Sequence, residues 1–189
     1  NAVAPFILRR LKTDKTIISD LPEKIEMKVY SDLTKKQIVM YSSFVEELKT
    51  KLEQSADNIG RKGLILSSLM KFKQLCNHPS QFSGSNIYEP EASGKFLRIR
   101  EICETIYEKR ERVLIFSQFT EIIEPLKKYL ESIFQHRGLT LSGDIPIAKR
   151  KIIVEKFQSS EYIPFMILSL KVGGLGLNLT AANHIIHFD

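Results

Sequence analysis

The sequence predicts an α/β fold: a parallel sheet flanked by helices, with an appended helical protrusion near the N-terminus. In the second half of the 189-residue chain, short β-branched segments alternate with amphipathic helical patterns, as in a parallel sheet with crossover helices. The first half contains two long amphipathic patterns and no such alternation. Hydrophobic residues make up 43% of the chain, which is enough for a packed core.

Residues 1–33 are predicted to be a lead-in segment that contains one strand. Residues 25–30 alternate apolar and polar side chains, which is typical of a strand with one solvated face. Residues 34–90 are predicted to form the helical protrusion and a polar connector. Thr34 and Gln37 have capping-box spacing at the start of the first helix, and Pro79 should end the second. The predicted inner faces carry Ile38, Tyr41, Val45, Leu48 and Leu52, then Ile65, Leu69, Phe72 and Cys76.

Residues 91–189 are predicted to form the parallel sheet and its helices. Ser93 can cap a helix whose inner face carries Phe96, Ile99, Cys103 and Ile106. Pro125 should lie near the first turn of a helix that ends at about Phe134. Buried strands are predicted within four apolar segments: RVLIF, GLTLSG, IPFMILSL and HIIHF.

Composition limits the classes of function. The net charge of +6 permits a polyanionic partner without requiring one. The two cysteines, Cys76 and Cys103, lie in apolar helical patterns and are expected to be reduced thiols. The histidines and cysteines share no metal-ligand spacing, so no metal site is predicted. The sequence carries no signal-peptide pattern and no transmembrane run, so we expect a soluble intracellular protein without a membrane partner.

Gly173, Gly174 and Gly176 follow the third predicted strand. Ligands of open parallel sheets bind at the carboxyl ends of the strands, where glycines allow close approach and positive φ and exposed amides can bind an anion. The pattern is neither GxGxxG nor a Walker A loop, so a tight turn and an anion site are equally consistent with it. Lys95, in an isolated SGK, is interpreted as a first-turn surface lysine rather than a phosphate ligand.

Seven segments taken together identify a family resemblance: APFILRRLKTD, LPEK, KQLCNHP, SGKF, VLIFSQFT, LSGDIPIAKRKIIVEKFQ and LSLKVGGLGLNLTAANHIIHFD. In this order they resemble the C-terminal motor lobe of the Swi/Snf-type DNA translocases, within the superfamily-two helicases. The form of the last segment at Leu170 resembles the prokaryotic branch. The resemblance implies a RecA-like lobe that pairs with an N-terminal RecA-like lobe of the same protein to hydrolyse ATP and move along double-stranded DNA.

The resemblance also implies roles for individual residues. Ser117 and Gln118 would lie near the DNA backbone, where a hydroxyl and an amide suit phosphate oxygens. From the residues alone, Ser117 is better explained as a helix cap. Ser169 and Lys171 would contact DNA phosphate. The glycine loop at 173–176, with Gly173, Gly174 and Gly176, would meet the nucleotide cleft and couple it to the DNA.

Other polar residues are given structural roles. Arg150 is expected to hold an internal ion pair, and His184 and His187 are taken as structural residues of a strand. Asn178 is expected to stabilise its own loop. Walker A, Walker B and the arginine-finger motif are absent from the sequence, so no catalytic residue is predicted here. ATP and Mg²⁺ would be bound mostly by the other lobe, and the chain alone is expected to be inactive.

Two alternative functions stay open. One is the C-terminal lobe of an RNA helicase, against which the helical insertion and the segment LCNHP speak. The other is a non-catalytic scaffold that docks a protein partner on the helical protrusion. The expected location is the cytoplasm, in association with the nucleoid, for a prokaryotic protein and the nucleus for a eukaryotic one.

Overall fold

The computed structural model describes residues 25–54, 58–173 and 176–189. The elements are helices α1 (Lys35–Gln54), α2 (Asn58–Asn77), α3 (Pro79–Ser83) and α4 (Gly94–Glu108), strand β1 (Val113–Ser117), helix α5 (Ile123–Phe134), strand β2 (Leu139–Leu141), helix α6 (Ile147–Gln158), strand β3 (Phe165–Ser169), helix α7 (Leu170–Gly173) and strand β4 (His184–His187). The four strands predicted for the sheet are confirmed, with ends within two residues of the apolar segments that predicted them.

The strands form a parallel sheet in the order β2-β3-β1-β4. Strand β1 lies opposite β3 from Val113 beside Phe165 to Ser117 beside Ser169. Both strands are short and apolar and alternate their side chains between two covered faces, as expected for a parallel sheet. The predicted α/β fold class is confirmed by this topology.

Each face of the sheet has its own hydrophobic core. On one face, Ile115 and Ile167 pack with the inner residues of α4 and α5. On the other face, Leu114 and Met166 pack with Phe157 of α6 and with Val172 of α7. The predicted inner residues of α4 are all buried, and Pro125 lies within the first turn of α5, as predicted.

Helices α1 and α2 pack through aromatic rings rather than through every predicted apolar residue. The ring of Phe72 lies 4.7 Å from that of Tyr41 and 4.8 Å from that of Phe44 between centroids. Ile38, Ile65 and Leu69 are 51%, 45% and 54% exposed, so their assignment to the inner faces was wrong. Helix α2 carries apolar residues around its whole circumference, and spacing therefore does not select one face.

The capping box at the start of α1 is confirmed and has a larger role than predicted. The side-chain oxygen of Gln37 accepts a hydrogen bond from the Thr34 backbone amide at 3.1 Å, and the Gln37 backbone amide donates to the Thr34 hydroxyl at 3.3 Å. The fully buried Gln37 side chain also donates to the Leu75 carbonyl at 2.8 Å and accepts from the Gly94 amide at 3.1 Å. One side chain thus joins the N-termini of α1 and α4 to the last turn of α2.

The predicted strand at residues 25–30 is wrong. Residues 25–34 have no regular secondary structure, and Ile25 and Met27 are 83% and 80% exposed. An alternating pattern forms a strand only where a neighbouring strand supplies ladder hydrogen bonds. Residues 31–189 form one compact unit. The rest of the lead-in segment, residues 1–24, lies outside the described residues, and the domain boundaries after residues 33 and 90 stay predictions.

Candidate functional site

The carboxyl ends of three strands place polar side chains along one edge of the sheet. Ser117 and Ser169 end β1 and β3 and are register partners. Strand β4 runs on the other side of β1, and the Phe188 amide just beyond it donates to the Phe116 carbonyl at 2.9 Å. This edge is where ligands bind in parallel sheets, and it contains the predicted site residues Ser117, Gln118 and Ser169.

Asp189 organises the end of β1, although the sequence did not single it out. Its carboxylate accepts hydrogen bonds from the Ser117 hydroxyl at 2.6 Å and from the Gln118 amide at 2.8 Å. The Phe119 amide donates to the Ser117 oxygen at 3.1 Å. Ser117 is fully buried, so its hydroxyl can meet a phosphate only if Asp189 releases it. It does not cap α5 either, because that helix begins later, at Ile123.

The Gln118 side chain is turned toward helix α2. Its carbonyl oxygen accepts a hydrogen bond from the Lys73 ammonium at 2.9 Å, and its amide nitrogen lies 3.8 Å from the Met70 sulfur. These contacts are solvent-exposed and so cost little to exchange for another partner. No pattern in the sequence predicted that α2 reaches this edge of the sheet.

Ser169 has a different environment from Ser117. It is only 3% exposed, and its hydroxyl has no hydrogen-bond partner among the described residues. A buried hydroxyl without a partner costs roughly 1–3 kcal/mol, and each such group in a folded protein calls for an explanation. Ser169 directly precedes α7 and the glycine loop, so its hydroxyl is an unused polar group at the candidate site.

The glycine loop begins in the short helix α7. Lys171 of this helix is exposed, and Gly176 has φ of +65°, which side chains rarely adopt. Gly173 ends α7, and Gly174 lies outside the described residues. Beyond the loop, Gln158 of α6 donates to the Asn178 carbonyl at 3.1 Å and accepts from the Ala181 amide at 2.8 Å. The loop is therefore held at its exit by Gln158.

Lys95 is not the surface residue that was predicted. Its ammonium donates to the Asn77 side-chain oxygen and to the Phe188 carbonyl, both at 2.8 Å. It also lies 5.2 Å from the centroid of the Phe188 ring. Burial lowers the pKa of Lys95, and the Asp189 carboxylate opposes that shift. The SGK segment thus places a cation within the fold.

The remaining polar predictions have mixed outcomes. Arg150 forms no ion pair among the described residues; it donates to the carbonyls of Ile145 and Gly143 at 2.7 and 2.9 Å. The expected ion pair was wrong, because the turn before α6 leaves carbonyls that a guanidinium can bind. His184 pairs with Glu111 at 2.6 Å, and the ring of His187 stacks on Phe116 at 5.5 Å. These are structural contacts, as expected for both histidines.

Within the described ranges, the structure offers neither a metal cluster nor a membrane-spanning helix. No group of three or more His, Cys, Asp or Glu side chains there could hold a metal ion. No helix in that part of the chain is long and apolar enough to cross a membrane. Both cysteines are free thiols, and burial raises the pKa of Cys103 to about 12.

Two family models match the chain. The helicase conserved C-terminal domain matches residues 95–189, and the SNF2-related domain matches residues 1–81. The C-terminal domain of the SWI2/SNF2 ATPase of Sulfolobus solfataricus superposes with a TM-score of 0.81 and 36% identity, over 88% of this chain and 72% of that one. The chain therefore belongs to the SWI2/SNF2 family, and its sheet is the RecA-like fold of that family's ATPase core.

Two further relatives indicate the branch of the family to which the chain is similar. The S. solfataricus SWI2/SNF2 ATPase core in complex with dsDNA has a TM-score of 0.82 and 39% identity, over 99% of this chain and 39% of that one. YwqA of Bacillus subtilis, which carries the provisional name of an ATP-dependent helicase/translocase, is 40% identical over 99% of this chain and 20% of its own length. These archaeal and bacterial relatives support the prokaryotic branch. The chain spans a fifth or less of the curated relatives it matches.

Proposed function

We propose that this chain is the second motor lobe of an ATP-dependent double-stranded DNA translocase or remodeller. The observation that carries this proposal is the carboxyl edge of the sheet. There the buried hydroxyl of Ser169, which has no hydrogen-bond partner among the described residues, adjoins the exposed Lys171 and the turn at Gly176. A related structure is a SWI2/SNF2 ATPase core in complex with dsDNA, which supports duplex DNA as the partner.

Lys171 and Ser169 are the proposed phosphate contacts. A lysine ammonium binds phosphate as a point charge, and a serine hydroxyl can donate to a phosphate oxygen. Such contacts position a protein on DNA without reading its sequence. Gln118 is a further candidate that has to exchange its bond with Lys73. Ser117 acts mainly by holding Asp189 and the turn that follows β1.

The glycine loop is the proposed coupling element. Gly173, Gly174 and Gly176 remove side chains where the loop would meet the N-terminal lobe across the nucleotide cleft. The fit to Mg²⁺ is poor here, because the described residues offer no cluster of carboxylates. We therefore assign ATP and Mg²⁺ mainly to the other lobe, and the ATPase activity to the two-lobed protein. The proposed location is the nucleoid-containing cytoplasm of a prokaryotic cell.

A second candidate function is protein docking on the helical pair. It is favoured by the exposed apolar residues of α2, among which Leu66 and Leu69 are 66% and 54% exposed. A docking surface there is compatible with a motor function, since it lies on a different element from Lys171. An RNA helicase lobe has no comparable observation in its favour.

The test is an ATPase assay of the chain alone and of the chain joined to an N-terminal motor lobe. We expect no turnover by the chain alone and turnover by the two-lobed protein that duplex DNA stimulates more than RNA does. Lys171→Ala should reduce DNA-stimulated turnover more than basal turnover, whereas Lys62→Ala, a change at an exposed lysine of α2, should change neither. Robust turnover by the purified chain alone, or equal stimulation by RNA, would contradict the proposal.

A further inference from the structure

The last turn of helix α2 is joined to the carboxyl edge of the sheet by a chain of polar contacts. Asn77, the final residue of α2, is fully buried. Its side-chain nitrogen donates to the Asp189 carboxylate at 3.3 Å, and its side-chain oxygen accepts from Lys95 at 2.8 Å. Its backbone carbonyl accepts from the Ser93 hydroxyl at 2.6 Å. The side-chain nitrogen, the side-chain oxygen and the backbone carbonyl of Asn77 therefore each form a hydrogen bond.

Lys95 closes this arrangement from the other side. It binds Asn77 and the Phe188 carbonyl, and Phe188 immediately precedes Asp189. Asp189 in turn binds the Ser117 hydroxyl and the Gln118 amide. The positions of Asn77 and Lys95 thus determine the position of Asp189, which determines the backbone at the end of β1.

We propose that Asn77 and Lys95 are positioning residues that act through Asp189 to hold the Ser117–Gln118 backbone at the carboxyl edge of the sheet, the edge proposed to face the duplex. That this edge faces duplex DNA rests on the proposed function, whereas the positioning itself does not. Neither residue touches DNA in this account, because the Lys95 ammonium and the Asn77 amide are already bound within the fold. The helical protrusion then sets the geometry of the candidate DNA edge through its last turn.

Backbone amide exchange on the 189-residue chain tests the positioning directly. Lys95→Met removes the ammonium and keeps the length of the side chain, and Asn77→Ala removes the same link from the other side. Each variant should make the Gln118 amide exchange roughly tenfold faster or more, while the Ile115 amide inside β1 keeps its protection. Lys128→Met, a change at an exposed lysine of α5, is the matched control and should leave both amides unchanged.

The double variant separates this mechanism from general destabilisation. Because the two residues act through one carboxylate, Lys95→Met with Asn77→Ala should accelerate Gln118 exchange little more than either change alone. Parallel acceleration at Gln118 and Ile115, or full additivity, would overturn the proposal. If Lys95→Met does not fold, Asn77→Ala alone still decides, since it must release Gln118 selectively.

Duplex binding at several salt concentrations tests the link to function. Lys95→Met should weaken binding a few-fold without changing the slope of log affinity against log salt, because the number of neutralised phosphates is unchanged. A slope reduced by about one would make Lys95 a direct phosphate contact and overturn the positioning role. If the wild-type chain does not bind duplex at all, the proposed function fails, while the exchange experiment still decides the positioning.

Discussion

The sheet and the helical pair α1–α2 are stabilised in different ways. Every residue of β3 is buried, and the sheet residues fill two apolar cores. In the helical pair, by contrast, Val39, Leu66 and Leu69 are more than half exposed. The pair is joined to the sheet and α4 through buried polar side chains, chiefly Gln37 and Asn77. Apolar burial therefore stabilises the lobe, and hydrogen bonds fix the orientation of the protrusion.

The largest effect should follow from opening the core of the sheet. Phe165 is fully buried and packs against Phe134 with ring centroids 5.4 Å apart. Phe165→Ala should lower the free energy of unfolding by about 3–5 kcal/mol, because it removes buried apolar surface and leaves a cavity. Leu66→Ala on the exposed face of α2 is the control and should cost less than about 1 kcal/mol. Similar losses in chemical denaturation would remove the distinction between the two regions.

An intermediate effect should follow from removing the Gln37 side chain, which joins α1 to α2 and α4. Gln37→Ala leaves the Leu75 carbonyl and the Gly94 amide without their present partner. We expect a loss of about 1–3 kcal/mol in the free energy of unfolding, the usual cost of an unsatisfied buried polar group. Gln54→Ala, at the exposed end of α1, is the matched control and should have almost no effect. A neutral Gln37→Ala would mean that apolar contacts alone hold the pair.

Two glycines should respond to alanine in opposite directions. A Cβ on Gly94 would lie 1.7 Å from the Asp32 carbonyl oxygen, whereas a Cβ on Gly63 in α2 would meet nothing within 4 Å. Gly94→Ala should therefore destabilise the chain, by about 1–3 kcal/mol if the backbone can shift. Gly63→Ala should stabilise it by about 0.5–1 kcal/mol through helix propensity. Thermal melting of the two variants gives the sign of each change in stability. A change of the same sign in both would contradict the close packing of Gly94 against Asp32.

The sequence predicted what depends on local pattern. The β-branched runs located the strands, and regular spacing located the inner face of α4, because apolar residues recur in the sequence wherever one face of an element is buried. The pattern failed at α2, whose apolar residues surround the helix. It also failed at residues 25–30, where apolar and polar residues alternate but no regular secondary structure forms.

The candidate site was only partly predictable. The glycine loop and Lys171 were identified by motif and by their position after a strand. Asp189, Lys95 and Asn77 were not, because their contacts join residues far apart in the chain: Lys95 reaches the Phe188 carbonyl across 93 positions. A lysine near a helix start gives no local sign of such a partner, and the fold has to supply it.

We propose that DNA contacts the carboxyl edge of the sheet and not the outer face of the helical pair. Titration of labelled duplex at several salt concentrations tests it with the wild type, Lys171→Ala and Lys62→Ala. We expect weak binding without sequence preference, with a dissociation constant of about 10⁻⁴ to 10⁻⁶ M, the range typical of non-specific binding. Lys171→Ala should weaken every sequence alike and reduce the salt slope by about one, whereas Lys62→Ala should leave the slope unchanged. Equal slopes for the wild type and Lys171→Ala, or sequence-selective binding, would contradict the account.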